Sequence, residues 1–162
     1  NTTCLLQEQG SEFALRTALL SASRKKVNQE VFHKAPNTTA NANNYGVVLS
    51  NGLCDIVVKS TIERGSYNSS THQTSRLLTN DSTSIGKILP ILYIDDNDVQ
   101  ASHAASLGQP DESQLFYMQT RGLTRDEALK LIIIGYLLPI TEVIDDEELN
   151  RMLKEEIETK VA

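Results

Sequence analysis

Apolar and polar residues alternate in short runs through the first two thirds of the chain, then switch to helical spacing near Pro110. Phe13–Leu20, Val27–His33, Gly46–Leu49, Ile56–Ile62, Ser75–Leu78, Ile88–Ile94 and Asp98–Ala104 read as strands, with good helix formers sparse among them. Turn chemistry separates them at Asn51-Gly52, Arg64-Gly65-Ser66 and Asn80-Asp81. Strands at a fairly even interval with no helix between them suit a sandwich, a barrel or a β-solenoid. The polar runs Asn37-Thr38-Thr39, Asn41-Ala42-Asn43-Asn44 and Ser69-Ser70-Thr71 favour the solenoid, where such side chains stack from coil to coil. No sequence repeat accompanies them. A solenoid needs its ends covered, so the start at Asn1 is expected to be an edge left by truncation of a longer chain.

Beyond Pro110 the pattern predicts three helices. Asp111-Glu112-Ser113-Gln114 has the form of a capping box. The helix it opens is expected to bury Leu115, Phe116 and Met118 and to stop at Gly122. Thr124-Arg125-Asp126-Glu127 is a second capping box, followed by Ala128, Leu131, Ile132 and Gly135 on one face, with Pro139 ending or kinking the helix. Asp145-Asp146-Glu147-Glu148 places acid at the positive end of a third helix, whose apolar stripe is Leu149, Met152, Leu153 and Ile157.

Composition narrows the function classes. Fifteen Lys and Arg against twenty-one Asp and Glu give a net charge of -6. Arg24-Lys25-Lys26 is the single basic cluster and reads as a solvated turn, so no nucleic-acid partner is expected. The apolar run Leu131–Leu138 is too short to span a bilayer, no signal peptide opens the chain, and no membrane association is expected. Cys4 and Cys54 lie far apart with no CxxC spacing, which fits reduced, buried thiols of a cytoplasmic protein better than iron ligands. Four sequons, at Asn1, Asn37, Asn68 and Asn80, follow from the abundance of Asn, Ser and Thr.

The histidines His33, His72 and His103 form no HxH or HExxH pattern. His103 is the one flanked by small residues, in Ala101-Ser102-His103-Ala104-Ala105-Ser106, and is the candidate ligand or base. Asp95, Asp96 and Asp98 fail as a calcium loop, because Ala101 and Leu107 fall where Gly and Glu are needed, and read as a turn between strands. Ser102 has no nucleophile elbow around it. No phosphate-binding loop is present, so no catalytic residue is assigned.

One stretch is specific. Asp98-Val99-Gln100-Ala101-Ser102-His103-Ala104-Ala105-Ser106-Leu107-Gly108-Gln109 resembles the DV-x-x-SH-x-A-(S/T)-x-GQ signature of the SufB/SufD family. Leu115–Leu123 resembles that family's LFYL-x-(S/T)RG-(I/L) helix. Val31-Phe32-His33, Gly46–Leu49, Gln73–Leu78 and Pro90–Ile94 fit as well. The resemblance implies a parallel β-helix core (residues 1–109) followed by a small α-helical subdomain (residues 110–162), the family's N-terminal region lying outside this stretch.

It further implies a non-catalytic scaffold in iron–sulfur cluster assembly. A SufB-like subunit would pair through the β-helix, with a homodimer as a further option. A SufC-like ATPase would dock on the C-terminal helices, through Phe116, Tyr117, Arg121, Leu131 and Ile132. Arg121 is expected to act on helix-end carbonyls. Where SufB-type chains carry a cysteine, the segment here reads Gln73-Thr74-Ser75-Arg76-Leu77-Leu78, which points to SufD; a SufB-like identity is the alternative. SufD relatives often place Cys where Ala101 stands, leaving His103 as the ligand of a transient cluster shared with a partner chain. No cofactor is expected in this stretch alone. Outside the family, a β-helix carbohydrate-active enzyme would need paired carboxylates along a groove, and a self-pairing module would need only an open strand edge.

Overall fold

The computed structural model describes residues 1–161, apart from the side chains at 142 and 143; residue 162, the end of the expected helical subdomain, lies outside them. Eight strands come first: β1 (Thr2–Leu6), β2 (Glu12–Ser21), β3 (Arg24–His33), β4 (Thr39–Val48), β5 (Leu53–Ile62), β6 (Ser69–Thr79), β7 (Ile85–Ile94) and β8 (Val99–Gly108). Odd strands form one sheet in the order β1-β3-β5-β7 and even strands the other, β2-β4-β6-β8. Every pairing is parallel. The chain therefore winds as a flattened parallel solenoid of about four coils, each of roughly 30 residues.

The alternation in the sequence is the alternation between lumen and exterior. Along β5, Cys54, Ile56, Val58, Ser60 and Ile62 are buried in the lumen, while the residues between them are only partly covered. Cys54, Ile56 and Val58 join Ala42, Val48 and Leu77 in one cluster. Several polar lumen positions satisfy one another. Gln29 and Asn44 exchange amide hydrogen bonds of 2.8 and 3.1 Å, and Asn44 donates to Ser75 Oγ at 3.2 Å. Most buried polar groups in a core are paired in this way.

The corners stack as well. Asn37, Asn51 and Asn68 adopt positive φ, which Asn tolerates better than most residues. Asn68 Nδ2 donates to Asn37 Oδ1 in the coil below at 2.6 Å. Asp96 accepts from the Gly65 and Asp98 backbone N–H groups, so the acidic run is a turn, as expected. Arg24, Lys25 and Lys26 instead begin β3, with their side chains exposed.

Three helices follow: α1 (Glu112–Thr120), α2 (Arg125–Leu137) and α3 (Glu147–Val161), with a 3-10 segment (Leu138–Val143) after α2 that Pro139 helps set. Gly122, at φ 98, closes α1 by a Schellman pattern, with Gly122 N donating to Gln119 O and Leu123 N to Met118 O. The α1 start differs from a full capping box: Asp111 takes the Ser113 N–H and hydroxyl, with a smaller contribution from the Gln114 N–H. At α2 the box is complete, Thr124 accepting from Glu127 N and Glu127 from Thr124 N. Thr124→Ala should cost about 1 kcal/mol in chemical denaturation, and Thr124→Ser should recover most of it.

The helices pack on the outer face of the even sheet, where Val47 and Leu78 meet Ile133, Leu137 and Ile157. This corrects the expected apolar faces. Phe116, Leu131, Leu149 and Met152 are exposed, and Gly135 is too. On α2 the buried residues are Ala128, Ile133 and Leu137. The helix has apolar residues on more than one side, and the sheet selects the one that meets Val47.

Candidate functional site

β7 and β8 are the last strands of their sheets, so each has one pairing edge open. β8 is exposed along nearly its whole length and carries no charged residue and no proline. Natural sheets protect free edges with such residues. The adjoining β7 shows Ile85, Leu89, Tyr93 and Ile94 to solvent. Among the described residues, nothing stacks on the two bare edges of the last coil or on these apolar side chains.

His103 sits in the middle of β8, in register with Gln73 of β6. Gln73 points into the lumen, between the buried Thr71 and Ser75. Parallel register partners share a face, so His103 stands on the lumen side of the final coil, and it is exposed because no further coil covers it. Ala101, Ala105 and Leu107 share that face, and the small residues leave the imidazole open.

The other two histidines lie elsewhere. His72 is on the outer face, its Nδ1 2.7 Å from Ser102 Oγ. Ser102 is therefore partnered by His72 and not by its sequence neighbour. His33 is fully buried, with Nδ1 2.8 Å from Thr38 Oγ1 and Nε2 without a partner. Burial lowers its pKa from 6.5 to about 4. The sequence held no sign of this, since the lumen environment arises only when coils stack.

The three histidines do not converge, and no cluster of three His, Cys, Asp or Glu suited to a metal exists among the described residues. Cys54 is buried in the lumen and Cys4 partly buried, and burial raises both thiols, which disfavours the thiolate a metal would need. Within this chain, His103 offers an isolated imidazole and needs further ligands from elsewhere to hold iron.

After a short link beyond β8, α1 turns Phe116 and Tyr117 outward, 68% and 58% exposed. Arg121 stacks on Tyr117 at 5.4 Å and donates to its hydroxyl at 3.1 Å. Its guanidinium thus braces an aromatic surface, where helix-end carbonyls were expected. Leu131 extends the exposed set, whereas Ile132 is part of the helix–sheet seam and is not free. Glu112 and Arg125 lock α1 to α2 through two hydrogen bonds of 2.7 and 2.8 Å. No helix is long and apolar enough to cross a membrane among the described residues.

Comparison with known proteins matches this architecture. The family model described as SUF system FeS cluster assembly, SufBD core domain, matches residues 1–136, the whole solenoid with α1 and nearly all of α2. The iron-sulfur cluster assembly protein SufD of Bacillus subtilis is 40% identical over 100 residues, covering 62% of this chain and 23% of that protein. A SufBD family protein of Mycobacterium tuberculosis is 30% identical over 135 residues, covering 82% of this chain and 16% of its own. One from Staphylococcus epidermidis is 28% identical over 170 residues, covering 98% and 35%. The chain thus spans between 16% and 35% of the length of these relatives, and that span is the solenoid with its uncovered last coil: it belongs to the SufBD core family of iron–sulfur cluster assembly proteins.

Proposed function

We propose that this chain is the SufD-like scaffold part of a cytoplasmic SUF assembly complex, without catalytic activity of its own. The observation that carries the reading is the last coil: an uncharged, unpaired β8 edge with His103 at its centre on the lumen side. A SufB-like partner adding strands to the β7 and β8 edges would supply backbone hydrogen bonds along ten residues and cover the exposed apolar side chains. His103 would give one nitrogen to a nascent cluster as cargo, with thiolate or carboxylate ligands from the partner. The 40% identity to a protein named SufD and the lack of cysteine at Gln73 and Ala101 support the SufD side over the SufB side.

The second surface is α1. Phe116, Tyr117 and the braced Arg121 are the aromatic and Arg anchors that dominate protein interfaces. We assign them to docking of the SufC-like ATPase.

Co-purification of the full-length protein with a SufB-like subunit and a SufC-like ATPase tests the assembly. Phe116→Ala should weaken ATPase binding at least tenfold, about 1.4 kcal/mol, and leave SufB-like pairing intact. Failure of any ATPase to bind, or pairing only with a second copy of this chain, would overturn the scaffold reading in favour of a self-pairing module.

A further inference from the structure

β6, β7 and β8 contain no Asp or Glu, in a chain that holds twenty-one. The side chains there that can be charged near neutral pH are His72, Arg76, Lys87 and His103, all cations when ionised. Arg76 is exposed on the outer face of β6, in register with Tyr45 of β4 and Ser106 of β8. Among the described residues it pairs with no carboxylate. With Thr74, Ala104, Ser106 and Tyr136 it lines a recess of about 290 Å3. Burial raises the Tyr136 hydroxyl above its ordinary pKa, against the opposing effects of the Arg76 charge and a Ser106 hydrogen bond. Tyr136 is thus a protonated donor at neutral pH. One permanent positive charge among hydroxyl donors is the chemistry that takes a carboxylate. The β8 side of the recess is walled only by the small Ala104 and Ser106, and beyond β8 the sheet edge is open. A strand laid along that edge lies two strand spacings from β6, about 9.6 Å, which an arginine and an acidic side chain span together.

We propose that the recess around Arg76 takes an Asp or Glu side chain from the strand that a partner adds to β8, and thereby selects a partner unlike this chain. The inference rests on the reading of β8 as a pairing edge. A second copy laying its own β7 or β8 there brings no carboxylate within the strand, its nearest acids lying in the turn before β8. An acid-bearing strand of a different subunit would close a two-pronged pair with the guanidinium. Such a pair fixes register and rejects wrong partners more than it adds raw affinity.

The test is calorimetric titration of the full-length protein with a SufB-like subunit over a range of salt concentrations. Arg76→Gln should weaken pairing at least tenfold at low salt and flatten its salt dependence. Arg76→Lys, which keeps the charge without the planar fork, should recover part of the affinity. Both variants should unfold at the wild-type temperature, because Arg76 is exposed. Unchanged affinity and salt dependence in Arg76→Gln overturn the inference and leave β8 pairing standing. A wild-type affinity that does not fall with salt overturns it without any variant, as does pairing with a second copy as tight as with the SufB-like subunit. If the wild-type protein pairs with neither, the edge reading falls and this inference falls with it.

Discussion

Cluster assembly by the complete complex is expected to fall more than tenfold when His103 is replaced by alanine. The fold should be unaffected, because the imidazole is exposed and supports no core contact. The size of the effect follows from scarcity. Within the described residues no cysteine or carboxylate stands ready to substitute: Cys54 is buried in the lumen, and the Asp95–Asp98 turn holds its Asp96 carboxylate on backbone N–H groups. His103→Cys should retain a measurable part of the activity, since a thiolate is the commoner iron ligand. The measurement is anaerobic reconstitution followed by transfer to an apo-protein, with co-purification as the control for pairing. Normal assembly by His103→Ala would remove this residue from the cluster site.

Stability should fall by about 3 kcal/mol between neutral pH and pH 4 through His33 alone. The sign follows from the direction of the shift. His33 is held neutral in the fold with a pKa of about 4, against 6.5 when unfolded. Between those values the unfolded chain binds a proton that the native one refuses, so stability is complete above 6.5 and drains as pH drops toward 4. The main cause is burial of the ring. The orphaned Nε2 fits it: a protonated ring would bring a second N–H to a place with no acceptor. Asp96, Asp111, Glu112 and Glu127 are also lowered, chiefly by hydrogen bonds to their carboxylates. Their contribution is complete above the ordinary carboxylate range and is lost as pH falls from that range through their lowered values, so this loss sets in as the His33 window closes. Urea denaturation across this range checks the point. His33→Asn, which can still meet Thr38, should flatten the dependence above about pH 4.5. An unchanged slope would show that His33 does not carry it.

Much of the architecture is written in local pattern. Seven of the eight strands lie over alternating runs that read as strands, and the polar ladders from Asn37 and Ser69 stack as their composition suggested. The missed strand, β1, is five residues long, and an alternating pattern needs more length than Thr2–Leu6 provides. The Thr124 capping box and the Gly122 stop are equally local, since each involves neighbours three to five residues apart. The signature from Asp98 to Gln109 located the residue on which the functional proposal turns.

Stacking decided the rest. The repeat is invisible in the sequence because lumen rows conserve only a side-chain environment: Leu6, His33, Ile62 and Ile94 occupy one row with no shared identity. The same stacking buried His33, gave Ser102 to His72 and set Gln73 beside His103, all between residues roughly 30 positions apart, beyond any local rule. It also chose which side of α2 to bury, because Ile133 and Leu137 meet Val47 and Leu78 only on the finished sheet. Sequence by itself determined that the chain alternates, turns and caps as a β body with helices, and that His103 lies among small residues. Tertiary structure decided that His103 lies on the lumen face of an open last coil, because only the winding of eight strands defines an inside, an outside and an end.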